Sequence, residues 1–506
     1  MQRELELKVE LSRSDVERLG GELPAGDLSV GPAETKKLRT VYFDTPKHDL
    51  HAAGISLRLR RQNGGWLQTV KADQHVVDGV SNPVELEASV AGDEPDLAKI
   101  ADKKIKRVIQ KAVQGTTLHP VFETIVRRTT RKIKVQGSEI ELAVDDGAVR
   151  ADQAARELRE AELELKAGTA EGLLLAAEQL LGDHELKLST RGKAERGYRL
   201  ALGKRGANAE PEKGRPARIT CKNSCAEAFS AILESATRQI LVNRQAVLET
   251  DDPDGAHQLR IGLRRLRSAL RALRPLVDRG SLRAFERAAR DQGRRVGILR
   301  DADVMISGIM APMEAVASDK SGFAELHAAL VRDRRDKRDE ICAALRSPAW
   351  TKLQLYLTLW PRTLEESAAR EKPITKHARK VLRKTWKKSA ELGQNLKRLE
   401  VEQRHEMRKA LKNLRYQTEF FAPLFERRDT RRFIEQLKTL QDVFGYINDV
   451  RMAPRLVEVQ KQRNAGMDAA RAAAYTIGRH EAEAAHVWRE APKAWKDLER
   501  SPRFWA

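Results

Sequence analysis

Glu4-Leu5-Glu6-Leu7-Lys8, extended in the same apolar phase by Val9 and Leu11, is the stretch on which the reading of this chain turns. In a strand, side chains two apart share a face. Glu4, Glu6 and Lys8 therefore point one way, and Leu5, Leu7 and Val9 the other. Taken alone, the run reads as a half-buried strand with a solvated charged face. The alternation returns, however. Ile55–Arg60 puts Ser56, Arg58 and Arg60 in one phase, and Trp66–Lys71 ends with Thr69 and Lys71 in one phase. Val84–Glu87 contributes Glu85 and Glu87, Glu139–Leu142 two more carboxylates, and Glu160-Ala-Glu-Leu-Glu-Leu-Lys166 echoes the opening. Some runs are acidic and others basic, which an open solvated sheet has no reason to arrange. A closed barrel with a polar interior does: acidic strands for a divalent metal, Mg²⁺ or Mn²⁺, and basic strands for the phosphates it accompanies.

Turn signals separate the runs at Asn63-Gly64-Gly65, Asp78-Gly79, Gln136-Gly137-Ser138 and Asp145-Asp146-Gly147, and helices are expected near 95–113 and 169–182. The chain has 506 residues, enough for about two to four domains. Its 94 Lys and Arg against 73 Asp and Glu give a net charge of +21, which points to polyanionic partners. Three cysteines (Cys221, Cys225, Cys342) argue against a disulfide-built secreted protein. With no second Cys or His pair near Cys221 and Cys225, helix packing is the better reading than zinc. No secretory signal and no run of about 18 apolar residues is present. A cytoplasmic protein without membrane contact is expected.

The order of motifs RELELKVEL, VYFDTP (41–46), GISLRLRR (54–61), QTVKA (68–72), VFETIVRR (121–128), ELAVDDGAV (141–149), EAELELKAG (160–168) and GKAERGYRL (192–200) resembles the CYTH superfamily, the triphosphate tunnel metalloenzymes. The resemblance implies an eight-stranded antiparallel barrel over 1–203, forming a tunnel that acts on triphosphates with a divalent metal. It also implies metal ligands at Glu4 and Glu6, joined from the far wall by Glu162 and Glu164, with Asp145 at a further acidic position. Lys8, Arg58, Arg60, Lys71, Arg128, Lys187 and Lys193 would grip phosphate oxygens. Lys8 and Glu85 would be catalytic, Glu85 by orienting the attacking water. Arg127 and Arg128 are adjacent, so only one can face inward, and the alignment favours Arg128. Pro83 stands where relatives often carry a basic residue, and Gly192 where they often carry serine.

Residues 204–218 read as an exposed linker, rich in Gly, Pro and charge. From 219 to 506 the patterns are helical. An internal repeat aligns His257, Arg260, Arg264 and Arg267 with His405, Arg408, Lys412 and Arg415, at an offset of 148 that also carries Gly297 onto Gly445 and Asp301 onto Asp449. The fold class expected is α+β: a strand-built tunnel domain followed by an all-α domain of two duplicated bundles. His257, Arg260, Arg264, Arg267 and Arg271 form one helical stripe, about 110° from the stripe of Leu259, Leu263, Leu266, Leu270 and Leu273. Such a stripe borders the core face and can line a groove. The pattern resembles the CHAD domain, which implies polyphosphate binding by His257, Arg260, Arg264, Arg267, Arg271, His405, Arg408, Lys412 and Arg415.

The leading expectation is a metal-dependent inorganic triphosphatase that recruits polyphosphate. Adenylate cyclase or thiamine triphosphatase activity in the same tunnel, and a non-catalytic, granule-associated polyphosphate scaffold, remain open. Aromatics make up 5% of the chain, with no stacking platform, which disfavours nucleic acid. HEMRK (405–409) lacks the second histidine of a zinc HExxH motif. His480 and His486 are six apart, off a shared helix face. Oligomeric state is not legible.

Overall fold

The computed structural model describes the chain apart from residues 1–4, 24–25, 63–64, 73–79, 82–83, 186, 190–191, 204–209 and 278. Glu4 and Pro83, and the turns expected at 63–64 and 78–79, lie outside the described residues. Two compact units are present: Met1–Ala207 with Ser347–Thr363, and Asn208–Arg346 with Leu364–Ala506.

The first unit is built on eleven strands: β1 (Leu5–Glu10), β2 (Ser29–Val30), β3 (Glu34–Asp44), β4 (Ile55–Gln62), β5 (Gly65–Ala72), β6 (Val80–Ser81), β7 (Val84–Val90), β8 (His119–Val135), β9 (Ser138–Ala151), β10 (Ala154–Ala167) and β11 (Lys187–Leu188). Three of them span two residues only, which leaves the eight long strands expected. All pairings are antiparallel, in the order β11-β1-β10-β9-β8-β3-β4-β5-β7. The ring is not hydrogen-bonded shut. β6 pairs with β1 and β7 pairs with β5, and among the described residues no single ladder joins those two neighbours. The result approximates a tunnel rather than a closed barrel.

Which way the charged faces point follows from what covers the other side. Leu7, Val9, Ala161 and Leu163 are buried, and the helix Ala170–Leu181 packs on β8, β9 and β10. Leu57, Leu59 and Val70 pack with Ile109 and Val113 of the helix Lys103–Val113, and Tyr42, Phe122 and Leu158 pack with Tyr198 of the helix Lys193–Ala201. With the apolar phase of each strand under a helix, period-two alternation turns the charged phase inward.

Two sequence expectations need correction. The echo strand Glu160–Lys166 is not a far wall. β1 and β10 are direct neighbours, with Glu6 opposite Glu164, Lys8 opposite Glu162 and Glu10 opposite Glu160. Asp145-Asp146-Gly147 is not a turn but the middle of β9. Gly147 is there for close approach, since a Cβ would lie 2.0 Å from the Ile125 carbonyl oxygen. The turn expected at 136–138 does form. Gln136 and Gly137, with φ of 44° and 75°, make a two-residue hairpin loop between β8 and β9. The helix Pro348–Leu359, within the stretch expected to be helical, belongs by packing to the first unit, where the Thr351 hydroxyl donates to the His184 carbonyl at 2.6 Å.

The second unit is all helical. Its long helices come in two sets: Cys225–Glu249, Pro253–Leu273, Arg279–Val304 and Phe323–Leu345, then Ile374–Gly393, Val401–Phe421, Arg427–Val450 and Met467–Trp488. Pro253 and Val401, and Arg279 and Arg427, are each 148 residues apart, the offset read from the sequence. Leu259, Leu263, Leu266, Leu270 and Leu273 are all buried, as their stripe requires. Among the described residues no helix is long and apolar enough to cross a membrane.

Candidate active site and polyanion groove

The sheet of the first unit encloses a cavity of about 530 Å³. Seven of its lining side chains are Lys or Arg and six are Glu, so both signs are interleaved on its wall. β1 supplies Glu6 and Lys8, β4 Arg58 and Arg60, β5 Lys71, β7 Glu85 and Glu87, β8 Arg128, and β10 Glu162, Glu164 and Lys166. Lys193 enters from the first turn of the helix Lys193–Ala201, seated against β8 because Gly197 lets Phe122 close in; a Cβ there would lie 2.0 Å from the ring.

Glu162 is the hub. Its carboxylate accepts from Lys8 at 2.8 Å, Arg128 at 2.7 Å and Lys193 at 2.8 Å. Arg128 also grips Asp145 with two bonds of 2.7 Å, and Lys193 reaches Asp145 at 2.9 Å and pairs with Glu160. Burial opposes ionisation of Glu162, but Lys193, Lys8 and Arg128 outweigh it and hold the carboxyl well below the usual range. Asp145 is likewise held low by Lys193 and Arg128 against the cost of burial. Burial would discharge Lys8 and Lys193, yet the carboxylates around them keep both ammonium groups protonated. Glu6 differs. Burial and the neighbouring Glu162 raise its pKa, although Lys8 lies 2.8 Å away.

On the opposite side Glu85 accepts from Arg58 at 3.0 Å and pairs with Lys71 at 2.5 Å. Against the cost of burial, Lys71 and Arg58 pull Glu85 below the usual carboxylate range. So held, it can orient a water by accepting its hydrogen bond but is a weak proton acceptor. Arg60 has no carboxylate within ion-pair distance among the described residues. Its hydrogen bond is to Thr40, at 3.3 Å, and burial with repulsion from Arg58 and Arg128 pushes it down to about 10.

Asp145, Glu160 and Glu162, all buried, each bring a carboxylate oxygen within 4.8 Å of the others. Glu160 Oε2 accepts no hydrogen bond among the described residues; Arg196 comes no closer than 3.8 Å. A set of hard oxygen donors with one unengaged atom fits Mg²⁺ or Mn²⁺. Glu160 was not among the expected ligands, though it shares the strand phase of Glu162 and Glu164. Glu164 lines the cavity, paired with Lys166 at 2.6 Å. Lys187 does not line it: on β11 its side chain is 71% exposed and pairs with Glu10.

In the second unit, Arg260 donates to Asp301 at 2.7 Å and to the Gly297 carbonyl at 3.1 Å. A Cβ on Gly297 would meet that guanidinium at 3.4 Å, an ordinary contact, and one on Gly445 would meet nothing within 4 Å, so space does not explain the repeated glycine. Arg264, Arg300, Arg408 and Lys412 have no hydrogen-bond or ion-pair partner among the described residues, and the Nε atoms of Arg264 and Arg408 are buried without one. Arg300 was not among the expected site residues. Arg415 is engaged by Glu419 at 2.7 Å and Gln441 at 3.2 Å, and Arg271 reaches Asn413 at 3.4 Å. Arg267 is half-buried, and burial together with Arg271, Arg290 and Arg294 lowers its pKa. Burial and Arg300 push His257 down to about 4, so at neutral pH it is an uncharged hydrogen-bonding group rather than a cation. His405 is exposed beside Arg408, Asn448 and Arg451 in a pocket of about 110 Å³. His480, read as incidental, is a buried strut between Tyr446 and the Ile309 carbonyl.

Residues 2–198 match the family model of the CYTH domain and residues 231–458 that of the CHAD domain. The chain carries a CYTH domain followed by a CHAD domain. The CYTH domain is the strand-built unit that encloses the charged cavity, and the CHAD domain contains both repeats of the basic stripe. Over 203 residues the chain is 28% identical to an inorganic triphosphatase of Haemophilus influenzae, an alignment covering 40% of this chain and 55% of that protein. The chain thus spans about half the length of that relative. The CHAD domain is similar to the crystal structure of the CHAD domain from the plant Ricinus communis, with a TM-score of 0.52 and 27% identity, covering 58% of this chain and 99% of that one.

Proposed function

We propose that the CYTH domain hydrolyses inorganic triphosphate with a divalent metal, and that the CHAD domain binds inorganic polyphosphate, in the cytoplasm and at polyphosphate granules. The observation that carries the reading is a cavity walled by both signs, in which Arg60 has no acid partner among the described residues. A lumen of near-balanced charge suits a metal and a phosphate together better than either ion alone. Glu6, Glu162 and Glu164, with Asp145 and Glu160 beside Glu162, would hold the metal. Bound there, Mg²⁺ or Mn²⁺ would neutralise charge building on the phosphate oxygens. Arg58, Arg60, Lys71 and Arg128 would bind and align the phosphates, Lys8 and Lys193 would hold the acid cluster in place, and Glu85 would orient a water for in-line attack. Of the lining residues only Tyr42 is aromatic. It is buried and stacked on Phe122 at 4.3 Å, which among the described residues leaves no shelf for a nucleobase or thiazole and favours inorganic triphosphate over ATP or thiamine triphosphate.

The test is a substrate panel of tripolyphosphate, ATP, thiamine triphosphate and long-chain polyphosphate, each with Mg²⁺ and Mn²⁺. Preferred phosphate release from tripolyphosphate is the expected result. Cyclic AMP from ATP would replace the reading with a cyclase, and polyphosphate binding with no turnover would replace it with a scaffold.

A further inference from the structure

The two repeats of the CHAD domain differ at one informative place. The position held by Arg264 in the first repeat is Lys412 in the second. Arginine stays charged in any protein setting, whereas a buried lysine surrounded by cations can release its proton. Lys412 lies on Val401–Phe421 and is mostly shielded from solvent, with no hydrogen-bond or ion-pair partner among the described residues. The charges acting on it come from its own helix and from two others. Arg408 stands one turn back on its own helix, where Arg415 is already taken up by Glu419. Arg260 and Arg264 act from Pro253–Leu273, and Asp449 from Arg427–Val450. On Arg279–Val304, Asp301 is bonded to Arg260. Two unpaired arginines, Arg264 and Arg408, with Arg260 beyond them and one acid, leave the lysine in a field that resists its charge. A polyanion in the groove would reverse that field.

We propose that the groove takes up a proton at Lys412 when inorganic polyphosphate binds, so that binding tightens as pH falls through the neutral range. This rests on the reading that the CHAD domain binds polyphosphate. The proton comes from solvent and settles on the Nζ lone pair, and the resulting ammonium donates to phosphate oxygens. Burial and the facing arginines push Lys412 down to about 6 in the free protein, so the lysine is mostly neutral at pH 7 to 8 and phosphate contact restores its ordinary basicity. The sign follows: the bound state holds one more proton, and affinity is fully developed near pH 6 and lost as pH rises above it. In the free protein His257 titrates below this window, and His257→Gln removes it as a contributor in the bound state. His405 is exposed and is removed as a contributor by His405→Gln.

The experiment is calorimetry of the full chain with long-chain polyphosphate at fixed ionic strength, between pH 6 and 8.5, in buffers of different ionisation enthalpy. The wild type is expected to take up about one proton and to lose up to about tenfold in affinity per pH unit above 7. Lys412→Arg should lose the slope and the proton uptake, and bind more tightly than wild type at pH 8.5. Lys412→Met should bind weakly at every pH without a slope. A slope retained in Lys412→Arg or Lys412→Met overturns the proposal. Tight binding by the wild type that is flat with pH and takes up no proton also overturns it, yet leaves polyphosphate binding standing. No binding at any pH removes both.

Discussion

Replacing Glu162 with glutamine tests the catalytic reading most directly. The substitution keeps shape and volume but removes the charge that Lys8, Arg128 and Lys193 share at 2.7–2.8 Å. Three buried cations then face Asp145, Glu160 and Glu6 with one negative charge fewer. Breaking a buried charge pair costs about 3–5 kcal/mol. A domain holding about 5–15 kcal/mol stays folded after that loss, with a lowered urea midpoint. The effect on turnover is larger in kind. Loss of a carboxylate that positions both metal and phosphate-binding cations is expected to reduce kcat by at least about a hundredfold, near 3 kcal/mol of transition-state stabilisation. Tripolyphosphate binding without metal should persist or tighten, because the wall becomes more positive. Phosphate release at saturating Mg²⁺ or Mn²⁺, metal-free binding by calorimetry and urea denaturation measure the three effects separately. Glu157→Gln serves as the control: that carboxylate is 73% exposed and pairs with Arg159, so the change should stay within about 0.5 kcal/mol and leave kcat alone. Wild-type kcat and metal response in Glu162→Gln would refute the site.

Arg128→Lys replaces a two-pronged grip on Asp145 by a point charge, and should raise KM for tripolyphosphate about tenfold or more while lowering the thermal midpoint. Unchanged kinetics would remove Arg128 from the phosphate site. Gly197→Ala puts a methyl into Phe122 and should displace the helix bearing Lys193, costing about 1–3 kcal/mol by urea denaturation together with a fall in activity. For pH, Asp145 and Glu162 are depressed in the folded state, so the stability they contribute is present above their unfolded values near 4 and is lost as pH falls below them. Urea midpoints of the wild type should therefore drop below about pH 4, and Asp145→Asn should flatten that drop. Glu6, held above the usual range, protonates first on acidification, so metal affinity measured by calorimetry should weaken before unfolding begins.

Much of the site was legible because strand alternation has a period of two. Once one side chain of Arg58-Leu59-Arg60 faces the lumen, the phase of the rest is fixed. What alternation does not encode is which strands are neighbours. Glu162 was therefore expected across the tunnel from Glu6, although β10 lies beside β1. Gly147 illustrates a second limit: Asp-Asp-Gly has turn chemistry, but the glycine was needed where Ile125 passes close. Glu160 shares the phase of Glu162 and Glu164, but the pattern alone does not tell that it is buried beside Asp145. Lys187 carries the right charge but sits where β11 leaves the side chain in solvent.

By itself the sequence determined the α+β class, the inward charge of the long strands and the helical repeat at offset 148, because each is a periodicity and periodicity survives without coordinates. Only the tertiary structure decided partners. It made Glu162 the hub of three cations, left Arg60 without an acid, set Arg415 against Glu419, and surrounded Lys412 with arginines from another helix. Those outcomes depend on burial and on Coulomb terms between residues far apart in the chain, both of which are set by packing rather than by local pattern.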